Sequence, residues 1–488
     1  MMAAVATMVM SLGELLGPAA GDLAGLEIHD LVADSRQVEP GAAFVALPGS
    51  RGHGLDFADD ARARGAAVVV YEPSAAHPHV PAPSVAVPGL AQRLGELAQT
   101  FFWRLRDPVV LTGVTGTNGK STVAYLMAEA RTRLGHDCAY LGTLGAGVPP
   151  KLTPQALTTP DCLTLHRSLR LLGTEEAAME VSSHALAQDR IAGLSFTTAV
   201  FTNLSRDHLD YHGDIESYRA AKARLFSLDG LEHAVIFIDD PFGAVLAGQL
   251  PAGVVPTTVS FAGNAHIEGR LVESGLGGIT VEVQTPQGAA TIDSALLGDI
   301  NAENLLLALG ALLTLDTPLE DASAALAQCS GLPGRMELID RADSTAAIVI
   351  DYAHTPDALH RVLGNLRRFT DARLWCVFGC GGERDVGKRA AMGAAASAAD
   401  QIVLTDDNPR GEDPAAIVAD IRRGIDPGAQ VAVEHDRRAA IEFALGRAEA
   451  GDIVLIAGKG HETTQVLADR SLPFSDREVV EETLGAMA

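Results

Sequence analysis

The chain has 488 residues, 47% apolar and 20% charged, a soluble globular composition too long for one hydrophobic core and suited to about three domains. Its 37 basic and 62 acidic residues leave a net charge of −25, which argues against a nucleic-acid surface and an anionic membrane, so a phosphate-rich ligand needs a local cationic pocket. Five cysteines lack any Cys-x-x-Cys pair or metal spacing, and no long apolar run exists, so reduced thiols, no membrane insertion and a cytoplasmic location are expected.

The first basic residue is Arg36, so the mildly apolar Met1–Leu16 stretch does not read as a secretory signal. Two β patterns follow, 43–47 and 66–71, the first preceded by Asp34-Ser35-Arg36 and followed by a glycine-rich loop, 48–54. Glu72-Pro73 ends the second, Pro-rich text from 78 to 88 is a surface connection, and a helix over 90–104 leads to a first boundary at Asp107-Pro108.

An apolar β-branched run from Pro108 then breaks into Thr115-Gly116-Thr117-Asn118-Gly119-Lys120-Ser121-Thr122. A helix is predicted from Ser121 to about Leu134, stopped by Gly135. Strand, glycine loop and Gly-Lys-Ser-Thr at a helix head form a phosphate cradle: backbone N–H groups approach the phosphates, the lysine supplies a cation and a hydroxyl meets Mg²⁺. The glycines stand at 113, 116 and 119, whereas the usual spacing would put the first at Val114, so this is a variant P-loop.

From about 107 to 331 short apolar strands alternate with helices, the mark of a mostly parallel sheet covered on both faces. One strand ends in Met179-Glu180-Val181-Ser182-Ser183-His184, a carboxylate placed as a Mg²⁺ ligand beside a P-loop would be. Another leads into 201–213, which packs Arg206, Asp207, His208, Asp210 and His212 closely enough to suggest a metal and phosphate site. The next helix, 217–226, is amphipathic, and spacing alone makes Lys222 an exposed lysine. A second boundary falls at 330–334, after which strands 346–350, 374–378, 401–405 and 453–457, each with a Gly- or Asp-rich loop and a helix, predict a doubly wound domain.

These residues resemble the Mur ligase family. The likeness is carried by Thr115–Ser121, Met179–His184, 201–213, Tyr218-Arg219-Ala220-Ala221-Lys222, Asn301-Ala302-Glu303-Asn304, Gly334-Arg335-Met336-Glu337, Asp351–Asp357 and Gly379–Asp385, in order over nearly the whole chain. The resemblance implies an α/β fold of three domains. These are an N-terminal UDP-substrate domain (1–106), a central P-loop mononucleotide-binding domain with a parallel or mixed sheet (107–331), and a Rossmann-like doubly wound domain that binds the amino acid (332–488).

It further implies an ATP-dependent amide ligase of peptidoglycan precursor assembly, expected to be monomeric, that phosphorylates a substrate carboxylate and lets an amino-acid amine displace the phosphate. By position, Gly116, Thr117, Asn118, Gly119, Lys120, Ser121, Thr122, Asn301, Asn304, Arg335 and Asp351 would bind ATP. Ser121, Glu180, His208 and Lys222 would serve Mg²⁺, with Lys222 matching a lysine that carbamylation turns into a carboxylate-like ligand, and Lys120, Glu180, His208 and Lys222 would form the catalytic set. Ser35, Thr158, Thr159, Ser182, Gln188 and Arg190 match contacts to a UDP-MurNAc-dipeptide.

Arg384, Asp407, Asn408, Pro409, Arg410, Gly458 and Glu462 match amino-acid contacts. Asp407-Asn408-Pro409-Arg410 resembles the diaminopimelate-adding type, since a guanidinium can grip a second carboxylate in bidentate fashion, and meso-diaminopimelate is the expected substrate. LL-diaminopimelate, which these residues do not separate from it, and L-lysine are the alternatives. A folylpolyglutamate synthase shares the P-loop and metal site but leaves Asp34-Ser35-Arg36 and Asp-Asn-Pro-Arg unexplained. A non-catalytic scaffold would not be expected to keep Lys120, Glu180, His208 and Lys222, and a P-loop kinase or GTPase would not explain the C-terminal domain. Cys376 and Cys380 read as core and loop fillers.

Overall fold

A computed structural model describes residues 8–49, 52–104, 108–339 and 346–487, so the boundary read at Asp107 and part of the 48–54 loop lie outside the described residues. Among the described residues three large sheets follow one another along the chain, beside two two-stranded ones. The first has four parallel strands in sequence order, Asp30–Val32, Ala42–Ala46, Val68–Tyr71 and Ser84–Ala86. Ala42–Ala46 is buried throughout, as its unbroken apolar sequence requires of a strand covered on both faces.

The central sheet has eleven strands. Its core is parallel, with Val110–Thr115 between Glu176–Glu180 and Thr198–Phe201. Antiparallel strands extend both ends, and the wing Ile267–Gly275, Gly278–Thr285 and Gly288–Ser294 makes the sheet mixed. The P-loop helix runs Lys120–Arg133 and is buried on nearly every side, because the sheet covers one face and helix Asp299–Leu313 another. Leu134 caps it and Gly135 leaves it at φ 89°, which a glycine adopts without the Cβ clash.

The last sheet has six strands, and its parallel part runs in space Ala347–Asp351, Ile453–Ala457, Leu374–Phe378, Gln401–Leu404 and Gln430–Val433. Four of the five close to the strands read from sequence, and the fifth, Gln430–Val433, is a partly exposed edge without an apolar run. All five cysteines are free and buried.

Candidate active site

The P-loop strand and its two neighbours end side by side, with Glu180 opposite Val114 and Phe201 opposite Thr115. The segment after Phe201 staples the loop: Thr117 N donates to Asn203 O at 2.8 Å, Asn118 N to Asn203 Oδ1 at 3.0 Å, and Thr202 Oγ1 to Asn118 O at 2.6 Å. Glycine is required where the staple is tightest. A Cβ on Gly116 would sit 1.9 Å from Thr202 Oγ1, and one on Gly119, at φ 84°, 2.5 Å from Asn304 Oδ1.

Two lysines converge on the loop. Lys120 Nζ donates to the carbonyls of Gly116 and Thr117 at 3.1 and 2.8 Å, and Lys222 Nζ donates to the Gly116 carbonyl at 2.5 Å. Lys222 is 1% exposed, its ammonium 4.4 Å from the Tyr218 ring centroid, which corrects the exposed lysine inferred from spacing. The reason is local: on Ile215–Ala223, Tyr218 and Lys222 lie one turn apart and face inward together. Burial, and then the Lys120 charge, drive the Lys222 amine well below the ordinary lysine range, against the pull of Asp207. Burial also lowers Lys120, with Glu180 and Asp207 opposing.

Glu180 is 1% exposed and accepts from Tyr140 Oη at 2.6 Å and from Thr143 N at 2.7 Å. His208 adopts a left-handed φ of 53°, with Nε2 3.4 Å from Asp207 Oδ2 and its ring 4.8 Å from that of His184. A hydroxyl, a carboxylate and an imidazole form a donor set that suits Mg²⁺, whereas Lys222 as an ammonium does not and would need conversion to an anion. Among the described residues no three His, Cys, Asp or Glu side chains form a metal cluster.

Between the central and last sheets runs a cleft lined by Asn118, Gly119, Thr122, Asn301, Asn304, Arg335 and Asp351, all read from sequence as ATP contacts. Asn304 Nδ2 donates to Asn301 Oδ1 at 3.1 Å, and Asp351 accepts from the backbone of Met336 and Ala353, both at 2.7 Å. Burial raises the Asp351 carboxyl, partly offset by Arg335. Arg335 lies 4.5 Å from the Tyr352 ring centroid, and that ring packs against His461 at 5.3 Å. Burial pushes His461 and His354 down to about 4.

A chain of bonds leads from Glu180 along the other side. Thr159 Oγ1 donates to Glu180 O at 2.8 Å, Arg190 Nη1 to Thr159 O at 2.8 Å, and Arg190 Nη2 to Gln188 Oε1 at 2.6 Å. Thr158 and Ser182 join it, through Thr143 Oγ1 at 3.0 Å and Thr159 Oγ1 at 3.2 Å. Ser35, buried beside the Asp34 cap on the first sheet, makes no bond to this group among the described residues.

In the last domain the loops after Phe378, Leu404 and Ala457 converge. Asn408 Nδ2 donates to Glu462 Oε2 at 2.9 Å, and Arg410 Nη1 donates to Gly382 O at 2.9 Å. Burial raises the Asp407 carboxyl despite Arg437 and Lys459. Gly458 is at φ 110°, and a Cβ there would stand 2.8 Å from Asp407 Oδ2. Pro409 is buried and Arg384 exposed. Reading the sequence did not single out Asn203, Tyr218 and Tyr140 as the side chains that hold Asn118, Lys222 and Glu180, nor Lys459, because each shows its role only through the contacts made in the fold.

Known proteins match along the whole length. Family models match three stretches, described as the Mur ligase family catalytic domain (27–102), the Mur ligase middle domain (114–312) and the Mur ligase glutamate ligase domain (334–460). The chain is 46% identical to the UDP-N-acetylmuramoyl-L-alanyl-D-glutamate--2,6-diaminopimelate ligase of Alkalilimnicola ehrlichii, over 94% of this chain and 95% of that one. It is 46% identical to the protein of the same name from Pseudomonas aeruginosa, over 98% and 99%. A solved structure of that name superposes with TM-score 0.69 and 39% identity, over 98% and 99%, and the MurF ligase of Thermotoga maritima with ADP shares the fold at TM-score 0.66 and 18% identity, over 94% and 98%.

Proposed function

The chain belongs to the Mur ligase family, and from that premise we infer that it is an ATP-dependent ligase adding diaminopimelate to UDP-MurNAc-L-Ala-D-Glu in peptidoglycan precursor synthesis. The observation that carries the reading is the convergence, around Glu180 and the Arg335–Tyr352–His461 stack, of the P-loop cleft, the Thr159–Arg190 chain and the Asn408–Glu462 pocket.

ATP occupies the cleft with its phosphates on the backbone of Gly116–Ser121. The γ-phosphoryl group passes to the substrate carboxylate, forming a phosphorus–oxygen bond, releasing ADP and leaving an acyl phosphate. The amine of diaminopimelate attacks that carbonyl, the tetrahedral adduct expels phosphate, and the nitrogen loses its proton. Lys120 and Arg335 hold charge on the phosphates, Arg190 and Thr159 orient the peptide end, and the partition of the site among domains requires closure before transfer. Ser121, Glu180 and His208 would hold Mg²⁺, which would supply charge neutralisation on the phosphates.

The Lys222 amine, depressed and buried, is suited to reversible addition of CO₂: a nitrogen–carbon bond forms, a proton leaves, and a carbamate replaces the ammonium. Such an anion beside Lys120 would ease the charge crowding there. Incubation with bicarbonate should add the mass of one CO₂ at Lys222, and an unmodified amine under those conditions would refute this.

Arg410 and Glu462 support an amino acid with a distal carboxylate and a distal ammonium, and the meso isomer is the proposed substrate. No helix among the described residues is long and apolar enough to cross a membrane, and a monomeric enzyme acting in the cytoplasm is proposed. The test is phosphate release from ATP with UDP-MurNAc-L-Ala-D-Glu and Mg²⁺, comparing meso-diaminopimelate, LL-diaminopimelate and L-lysine. Release dependent on meso-diaminopimelate supports the assignment. Lysine-dependent release would overturn the amino-acid specificity, and release with folate and glutamate alone would overturn the pathway.

A further inference from the structure

We propose that Lys459 is a positioning residue of the amino-acid site, fixing Asn408 and Glu462 so that one oxygen of the Glu462 carboxylate faces the distal ammonium of the incoming amino acid. The proposal rests on the assignment of the 407–410 and 458–462 loops to the amino acid.

Lys459 is 0% exposed. It sits between Gly458 at φ 110° and Gly460 at φ 53°, two backbone turns that send its side chain inward while the flanking loop stays at the cleft. Its Nζ donates to Asn408 Oδ1 at 3.0 Å and to Glu462 Oε2 at 3.0 Å. Asn408 Oδ1 also accepts from Val466 N at 2.9 Å, so the amide must turn its oxygen toward Lys459 and its NH₂ toward Glu462. That NH₂ donates to the same Glu462 Oε2 at 2.9 Å.

Both bonds therefore land on one carboxylate oxygen. Oε1 is the oxygen turned to a ligand, on a side chain that keeps 31% exposure. A carboxylate held at one oxygen by two donors loses little freedom when it binds an ammonium. A buried ammonium is a costly way to fill a core position that an apolar side chain could occupy. Here both of its bonds end on the two cleft-facing groups assigned to the substrate, which makes orientation of those groups the role that fits.

The test uses the full-length enzyme and two amino acids, meso-diaminopimelate and 2-aminopimelate, which keeps the reacting amine and both carboxylates but lacks the distal ammonium. In Lys459→Met the preference for diaminopimelate should fall by about tenfold or more through its KM, with kcat and the ATP KM within about threefold of wild type. Adding Glu462→Gln to Lys459→Met should cause no further loss. An unchanged preference in the folded variant, additive losses in the double variant, or parallel falls in kcat and ATP affinity at constant preference would each overturn the proposal. If Lys459→Met does not accumulate folded, Lys459→Gln, which keeps an N–H donor without the charge, carries the same readings. A wild-type enzyme with no diaminopimelate-dependent phosphate release would sink the ligase assignment, and this proposal with it. An active wild type with an indifferent Lys459 variant would sink only the latter.

Discussion

Removing the Arg410 guanidinium should damage amino-acid binding while sparing the nucleotide. Arg410 is held at a left-handed φ of 53°, its backbone N–H donates to Val466 O at 3.0 Å, and Nη1 is spent on Gly382 O at 2.9 Å and Asn408 O at 3.3 Å. One edge of the fork is thus anchored to the protein, and the opposite edge is the part that can grip a carboxylate. Two charge-assisted bonds are worth roughly 3–6 kcal/mol together, and water at this partly buried residue reduces that to about 3 kcal/mol. Arg410→Leu, which keeps the backbone demand of a non-glycine residue, should raise the diaminopimelate KM by about 150-fold. Arg410→Lys keeps the charge but not the fork, and should cost about 1.5 kcal/mol, roughly tenfold. The ATP KM should stay put, since Arg410 does not line the nucleotide cleft. Phosphate release at saturating ATP and dipeptide substrate, against varied diaminopimelate and L-lysine, reads all of this. A leucine variant whose diaminopimelate KM moves less than about threefold, or whose losses are equal for diaminopimelate and lysine, would refute the assignment of Arg410 to the distal carboxylate.

Gly119→Ala should weaken nucleotide binding by about tenfold or more, because a left-handed alanine is strained by about 1–2 kcal/mol and its Cβ meets Asn304, which is locked to Asn301. Calorimetric titration with ADP checks this, and Gly135→Ala, at φ 89° with nothing near its Cβ, is the control that should bind normally. His166 accepts from Trp103 Nε1 and donates through Nε2 to Ala192 O, both at 2.9 Å, so its neutral form is the one built in, and burial lowers it to about 4. The folded value lies below the unfolded one of about 6.5, so its contribution, about 3 kcal/mol, is complete above that pH and is lost as pH falls toward 4. Urea unfolding at pH 7.5 and 4.5 should show a steeper loss for wild type than for His166→Gln, and equal slopes would contradict it. Arg437 and Asp476 are 0% exposed and joined at 2.7 and 2.8 Å, so Arg437→Met should destabilise by about 3–5 kcal/mol, with Asp476→Leu added in the same chain restoring most of the loss in thermal melting.

The central and last domains were legible because their strands are short apolar runs ending in glycine and acidic loops, and a parallel sheet places such loops together whatever the details of its packing. That is why Glu180, Lys120 and the 201–208 segment read as neighbours, whereas the grouping of Asp407–Arg410 with Gly458–Glu462 came from the family resemblance. The antiparallel wing 267–294 was not read from sequence, although its middle strand, Gly278–Thr285, alternates with Ile279, Val281 and Val283 buried. Its first strand, Ile267–Gly275, is half exposed and alternates only loosely, so periodicity does not separate it from loop. The positioning side chains were equally silent: Asn203, Tyr218 and Lys459 are ordinary residues until the fold brings them to the P-loop, the lysine and the carboxylate they hold.

Lys222 shows why spacing failed. A lysine on an amphipathic helix is read as solvated because burying an ammonium is costly, and that inference presumes the side chain stays an ammonium. The fold removes the premise: it buries Lys222 against Tyr218 and Gly116 and places Lys120 close enough to repel it. Under those conditions the charged form is disfavoured, which is the direction that CO₂ addition to the amine requires. The same crowding answers the question raised by a net charge of −25. An acidic protein can hold a triphosphate if cations are concentrated locally, and Lys120 at the loop and Arg335 at the cleft stand close enough to repel one another. Conversion of Lys222 to a carbamate would leave both of these cations for the phosphates while adding an anion that a metal ion could use.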